Sequence, residues 1–102
     1  MRVGTDIIQI SRIAKSIESR HFVESVFTEN EQAYCKTAQS YAGLFAAKEA
    51  YLKALETGIN RRLNTIEILH TDKGKPYIDG ADKCDISISH DGDYAIAVCI
   101  ME

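Results

Sequence analysis

Four polar side chains stand where the surrounding pattern is apolar, and each could do chemistry. At about 100° per residue, Tyr41, Leu44, Phe45, Leu52 and Leu55 share one helical face, and Lys48 falls at its centre. Glu49 lies near the edge of that stripe, about 80° away by the same geometry. A lysine on an apolar face must snorkel or meet a partner, and Glu49 could then simply pair with Lys53 one turn on. Asp6 lies in an Ile-rich strand and shares a face with Gly4, Ile8 and Ile10, so a carboxylate projects where a core residue belongs. It could cap a helix or end the strand. It could equally be an oxygen ligand for a hard cation such as magnesium, which takes one or two carboxylates and completes its shell with phosphate and water. His90 ends a strand in phase with Ile86 and Ile88, just before Asp91-Gly92-Asp93; it is either a satisfied core group or an exposed functional one. Lys53, Arg61 and Arg62 flank the end of the long helix, where they could hold phosphates or complement the helix C-terminus.

The elements that must position these groups follow from periodicity. Val3 to Ile10 predicts a strand, and a helix runs from Ser11 as N-cap to about Arg20. His21 to Phe27 is ambiguous. Thr28-Glu29-Asn30-Glu31 has the form of a capping box opening a short helix through about Lys36. The strongest helix spans about Ser40 to Thr57 and stops at Gly58, a residue suited to a left-handed cap. Four strands follow, Thr65 to His70, Pro76 to Asp79, Asp85 to His90 and Tyr94 to Met101, with turns at 72–76 and 91–93. Helices first and an antiparallel meander after them imply an α+β domain closed by the N-terminal strand.

Composition bounds the function. The 102 residues make one domain, residues 1–102, with a modest core. A net charge of -3 argues against a general nucleic-acid binder, which carries a basic face. The cysteines Cys35, Cys84 and Cys99 fit no metal-ligand spacing and suggest ordinary thiols in a reducing compartment. Asp6 stands where a signal peptide would need its apolar stretch, and the longest apolar run, Ala95 to Met101, is too short to span a membrane. A cytoplasmic protein is expected. No Gly-rich phosphate loop and no Gly-x-Ser-x-Gly elbow is present.

Taken in order, four segments resemble the holo-acyl-carrier-protein synthase family of 4′-phosphopantetheinyl transferases. Val3-Gly4-Thr5-Asp6-Ile7, with Arg12 beyond it, is similar to the family's opening Gly-x-Asp strand. Phe27-Thr28-Glu29-Asn30-Glu31 is similar to its Phe-Thr-x-x-Glu helix start. Phe45-Ala46-Ala47-Lys48-Glu49-Ala50 is its most diagnostic stretch, and Gly74-Lys75-Pro76 with Ser87-Ile88-Ser89-His90 resembles its closing turn and strand. The resemblance implies a 4′-phosphopantetheinyl transferase fold, with a long helix on a mostly antiparallel sheet. It implies magnesium on Asp6 and Glu49, shared with the pyrophosphate of coenzyme A. Lys48 would lie at the same site, on the phosphates or assisting proton transfer. Lys53, Gly58, Pro76, Ser89 and His90 would contact coenzyme A, with His90 near the nucleotide phosphates. The implied reaction moves the 4′-phosphopantetheine arm to a serine of an apo acyl carrier protein and releases 3′,5′-ADP. Leu44 departs from the family's usual Arg, which helps hold the coenzyme A phosphates; Arg61 and Arg62 are the candidates to compensate. The stretch from Thr37 to Gly43 is also shorter than is typical.

Two other functions are compatible with parts of the pattern: a non-catalytic oligomeric module of the same fold, and a magnesium-dependent hydrolase of nucleotide pyrophosphates. For the transferase, Arg12, Lys15 and Arg20 are candidates for the face that meets an acidic carrier. Tyr94, Ile96, Val98 and Ile100 share one face of the last strand, and Ala95, Ala97, Cys99 and Met101 the other. Both faces are apolar, so both should be covered. One layer of helices covers one face, and a neighbouring subunit is expected on the second. The resemblance implies a homotrimer with sites at subunit boundaries.

Overall fold

The structure, a computed structural model, describes residues 1–56 and 62–102. Strand β1 (Arg2–Gln9) leads into three short helices, α1 (Ile10–Ser16), α2 (Arg20–Val26) and α3 (Glu29–Tyr34), and then the long α4 (Ala38–Leu55). A 3-10 turn (Leu63–Thr65) precedes β2 (Ile68–His70), β3 (Pro76–Ile78), β4 (Cys84–Asp91) and β5 (Tyr94–Met101). The N-terminal strand does close the fold: β1 and β4 flank β5, all antiparallel, with Asp6 opposite Ala97 and Ile88 opposite Ala97 from the other side. The second half is not one continuous meander, however. β2 and β3 form a separate two-stranded hairpin.

Local chemistry explains where the helices start. Thr28 and Glu31 complete both halves of the capping box, the Thr28 hydroxyl accepting from Glu31 N–H and the Glu31 carboxylate from Thr28 N–H. Thr37 caps α4 by accepting from Ser40 N–H. The first helix differs from expectation: it begins at Ile10, and the Ser11 N–H and hydroxyl both bind the Asp93 carboxylate instead. It also stops at Ser16, and Ser19 caps the separate α2, so the ambiguous stretch is helical. The left-handed residue that ends α4 is Glu56, at φ 66°; the expected cap at Gly58 lies outside the described residues.

α4 buries a face of small residues. Ala46, Ala47, Ala50 and Ala54 are fully enclosed, and across from the helix β5 presents Ala95, Ala97 and Cys99, equally enclosed. The larger Tyr41, Phe45, Leu52 and Leu55 pack around this layer, partly buried. Helix and sheet therefore approach closely. A Cβ on Gly4 of β1 would lie 1.9 Å from Ala50 O and 2.7 Å from Ala54 N, so only glycine fits there. The opposite face of the sheet carries Val3, Ile7, Tyr94, Ile96 and Ile100, 42–64% exposed. No described helix is long and apolar enough to cross a membrane.

Candidate active site

The backbone contact at Gly4 sets the position of Asp6. Two residues further along β1 and on the same face, its carboxylate emerges at the flank of α4 where Glu49 and Lys53 also stand. Lys53 Nζ donates to Thr5 O at 3.0 Å and to Asp6 Oδ1 at 3.2 Å. Asp6 is 16% exposed and Lys53 57%, so the pair is open on the lysine side. Burial pushes the Glu49 carboxyl up, the negative charge of Asp6 raises it further, and Lys53 pulls it back. Two carboxylates thus share a partly desolvated space with one cation. Oxygen donors of this kind suit a hard divalent ion whose remaining positions are taken by water and phosphate. Among the described residues no third His, Cys, Asp or Glu joins them.

Lys48 is elsewhere, and the expectation that it lies beside Asp6 and Glu49 is corrected. Its ammonium is fully buried and donates to Glu31 Oε1 at 2.6 Å, Val26 O at 2.7 Å and Leu63 O at 3.0 Å. An ammonium has three N–H donors, so none remains for a phosphate. It does not snorkel either. Glu31 is engaged all round, accepting from Thr28 N–H on Oε1 and from Ile68 N–H on Oε2 at 2.7 Å. Sequence reading missed this partner because 17 residues separate the two; the capping box marked Glu31 only as a helix start.

Pro76 and His90 lie on the other flank of α4. They line a cleft of about 240 Å³ with Tyr34, Gln39, Leu44 and His70. His90 projects from the inner face of β4, and its Nε2 lies 3.0 Å from Gln39 Nε2. Ser89, its neighbour, falls on the outer face opposite Ile96 and is exposed. His70 is stacked on Tyr34, centroids 3.8 Å apart, and burial lowers its pKa. Within one chain, then, Asp6, Glu49 and Lys53 stand on the β1 side of α4, and Pro76 and His90 on the β4 side. From Gln39 to Glu49 is ten residues of helix, about 15 Å along its axis.

The sequence model of the 4′-phosphopantetheinyl transferase superfamily matches residues 2–99. The chain belongs to that superfamily. The holo-[acyl-carrier-protein] synthase of Ruminiclostridium cellulolyticum is 42% identical over 99% of this chain and 91% of its own. That of Geobacillus kaustophilus is 43% identical over 98% and 87%. The crystal structure of the Bacillus anthracis synthase in complex with CoA (3′,5′-ADP) superposes with a TM-score of 0.87 at 36% identity, covering 98% of this chain and 94% of that one. The Helicobacter pylori synthase in complex with coenzyme A gives 0.88 at 34%, covering 98% and 99%. Helices on an antiparallel sheet are thus the phosphopantetheinyl transferase fold. At Leu44, where the resemblance leads one to expect Arg, this transferase has an aliphatic side chain that is 2% exposed and part of the core. Arg62 does not replace it at the cleft, since it lines a hollow by α2 with His21 and Glu24. Arg61 and Gly58 lie outside the described residues.

Proposed function

We propose that this protein transfers the 4′-phosphopantetheine arm of coenzyme A to a serine hydroxyl of an apo acyl carrier protein, releasing 3′,5′-ADP. The observation that carries this is the convergence of Asp6, Glu49 and Lys53, set by the contact of β1 with α4 at Gly4. Asp6 and Glu49 would hold magnesium. When bound, that ion would stabilise charge on the pyrophosphate as the bridging bond breaks. Lys53, which neutralises Asp6 here, is exposed enough to turn to a donor phosphate. Pro76 and His90 would bind the nucleotide end of the donor, and Ser89 and Gly58 complete the coenzyme A contacts in this reading.

The two groups of residues belong to different subunits in the assembly we propose. The exposed apolar face formed by Val3, Ile7, Ile96 and Ile100 is where a neighbour would pack, giving a homotrimer in a cytoplasmic enzyme of one domain. Asp6 and Glu49 of one chain would then meet His90 of the next. Arg12, Lys15 and Arg20, all exposed on α1 and the start of α2, form the candidate face for an acidic carrier.

Incubation with magnesium, apo carrier and coenzyme A labelled in the arm tests the proposal. Label on the carrier, with release of 3′,5′-ADP, is expected. Pyrophosphate hydrolysis without a carrier would point to a hydrolase, and coenzyme A binding without turnover to a non-catalytic module.

A further inference from the structure

The cleft on the β4 flank of α4 offers no permanent positive charge, although Pro76 and His90 line it. Among the described residues no lysine or arginine lines it, and its cationisable groups are the imidazoles of His70 and His90. Lys75, beside the lining residue Gly74, is not part of the lining; its ammonium donates to Asp85 Oδ1 at 2.8 Å in a solvent-exposed pair with β4. Leu44 covers the inner wall, and Tyr34, half exposed, presents a flat ring stacked on His70. Such a surface suits a nucleobase and ribose, because aromatic rings stack on any base. It does not suit a dianionic phosphate, which is best held by the fixed fork of a guanidinium.

We propose that Leu44 makes the enzyme nearly indifferent to the 3′-phosphate of its donor, so that 3′-dephospho-coenzyme A supplies the arm about as well as coenzyme A. This rests on the transferase reading above. In the reaction the serine oxygen forms a bond to the phosphorus that bears pantetheine, and the pyrophosphate bridge breaks. The serine proton passes to solvent, and the leaving group is 5′-AMP in place of 3′,5′-ADP. No co-reactant beyond the carrier is needed.

The test compares kcat/KM for the two donors on one apo carrier, with products resolved as AMP and 3′,5′-ADP. A charge-assisted contact is typically worth tenfold or more, so a preference for coenzyme A below about tenfold is expected. A larger preference overturns the proposal, because a cation from a neighbouring subunit or from another segment must then be reading the phosphate. Leu44→Arg should raise the preference by about tenfold or more. Since Leu44 is buried and that variant could fail to fold, Gln39→Arg, at the exposed rim beside His90, brings the same charge to the cleft. If a folded variant of this kind leaves the ratio unchanged, the cleft does not receive the 3′ end and the inference fails. Absence of transfer from either donor would instead sink the transferase reading, and this inference with it.

Discussion

Glu49 and Lys48 are adjacent in sequence, yet they face opposite electrostatic problems. The pKa of the Glu49 carboxyl is raised by burial and by Asp6, so its charged form is disfavoured in the fold. Unfolding releases it to water. As pH rises through the ordinary value near 4.5, the unfolded chain gives up this proton first, and stability falls with increasing pH in the window just above that value. Glu49→Gln should therefore be more stable than the parent at pH 7.5 in EDTA, with the difference shrinking toward pH 4. Urea titrations at the two pH values measure this, and an equal difference at both would mean that neither burial nor Asp6 disfavours the charged form of Glu49. Lys48 is the reverse case: burial lowers its pKa, but Glu31 holds its charge in place. Lys48→Met leaves a buried carboxylate unpaired and should cost about 3–5 kcal/mol. Adding Glu31→Gln removes that charge while keeping an acceptor for Thr28 or Ile68 N–H, so the double variant should recover part of the loss. If both variants unfold alike in urea, the pair's charge is not what matters.

At the scale of elements, β1 and α4 form the joint on which the site depends. Gly4 leaves no room for a Cβ against the Ala50 carbonyl, and Ala97 and Cys99 of β5 are enclosed beneath the helix. Gly4→Ala would drive a methyl into a backbone carbonyl with no flexible atom to yield. We expect a drop in melting temperature of many degrees and loss of transfer even in whatever fraction stays folded, since Asp6 must shift with the strand. Normal activity and stability in that variant would mean that the site does not rely on the contact. The hub around Lys48 plays a different part. It ties the end of α2, the capping box of α3, the 3-10 turn and β2 to one turn of α4, without touching Asp6.

At the scale of the whole molecule, one chain separates the two groups of residues that the proposed reaction would bring together. α4 stands between Asp6 and Glu49 on one side and the His90 cleft on the other. The outer sheet face pairs Val3 with Ile100 and Ile7 with Ile96 as an apolar stripe bordered by Asp85, Ser87, Ser89 and Asp91 of β4. In the homotrimer proposed above, association through that stripe would bring one chain's carboxylates to its neighbour's His90. Asp6→Ala and His90→Ala chains should each be nearly inactive alone. Co-refolded, some boundaries combine an intact Asp6 with an intact His90, and part of the activity should return in the transfer assay. Mixed assemblies that form and stay as inactive as their parents would mean that each chain carries a complete site.

Local pattern was enough to place the elements whose cause is local. The Thr28 capping box, the strand at Val3 to Ile10, the alternation along β5 and the long amphipathic helix all follow from neighbours within a few residues. The ordered motifs also named the family, because Asp6, Glu49 and the Gly-Lys-Pro turn recur at recognisable places along the chain. The partner of Lys48 could not be read in this way. A stripe places a lysine inward but does not say which carboxylate, 17 residues away, will meet it. Nor could the sequence alone show that Glu56 ends α4 in the left-handed region, that β2 and β3 leave the main sheet, or that Leu44 is a core residue forming the inner wall of the cleft. Those outcomes are set by contacts between segments far apart in the chain, whose energies become comparable only once helix and sheet have closed to the distance that Gly4 and the alanines allow.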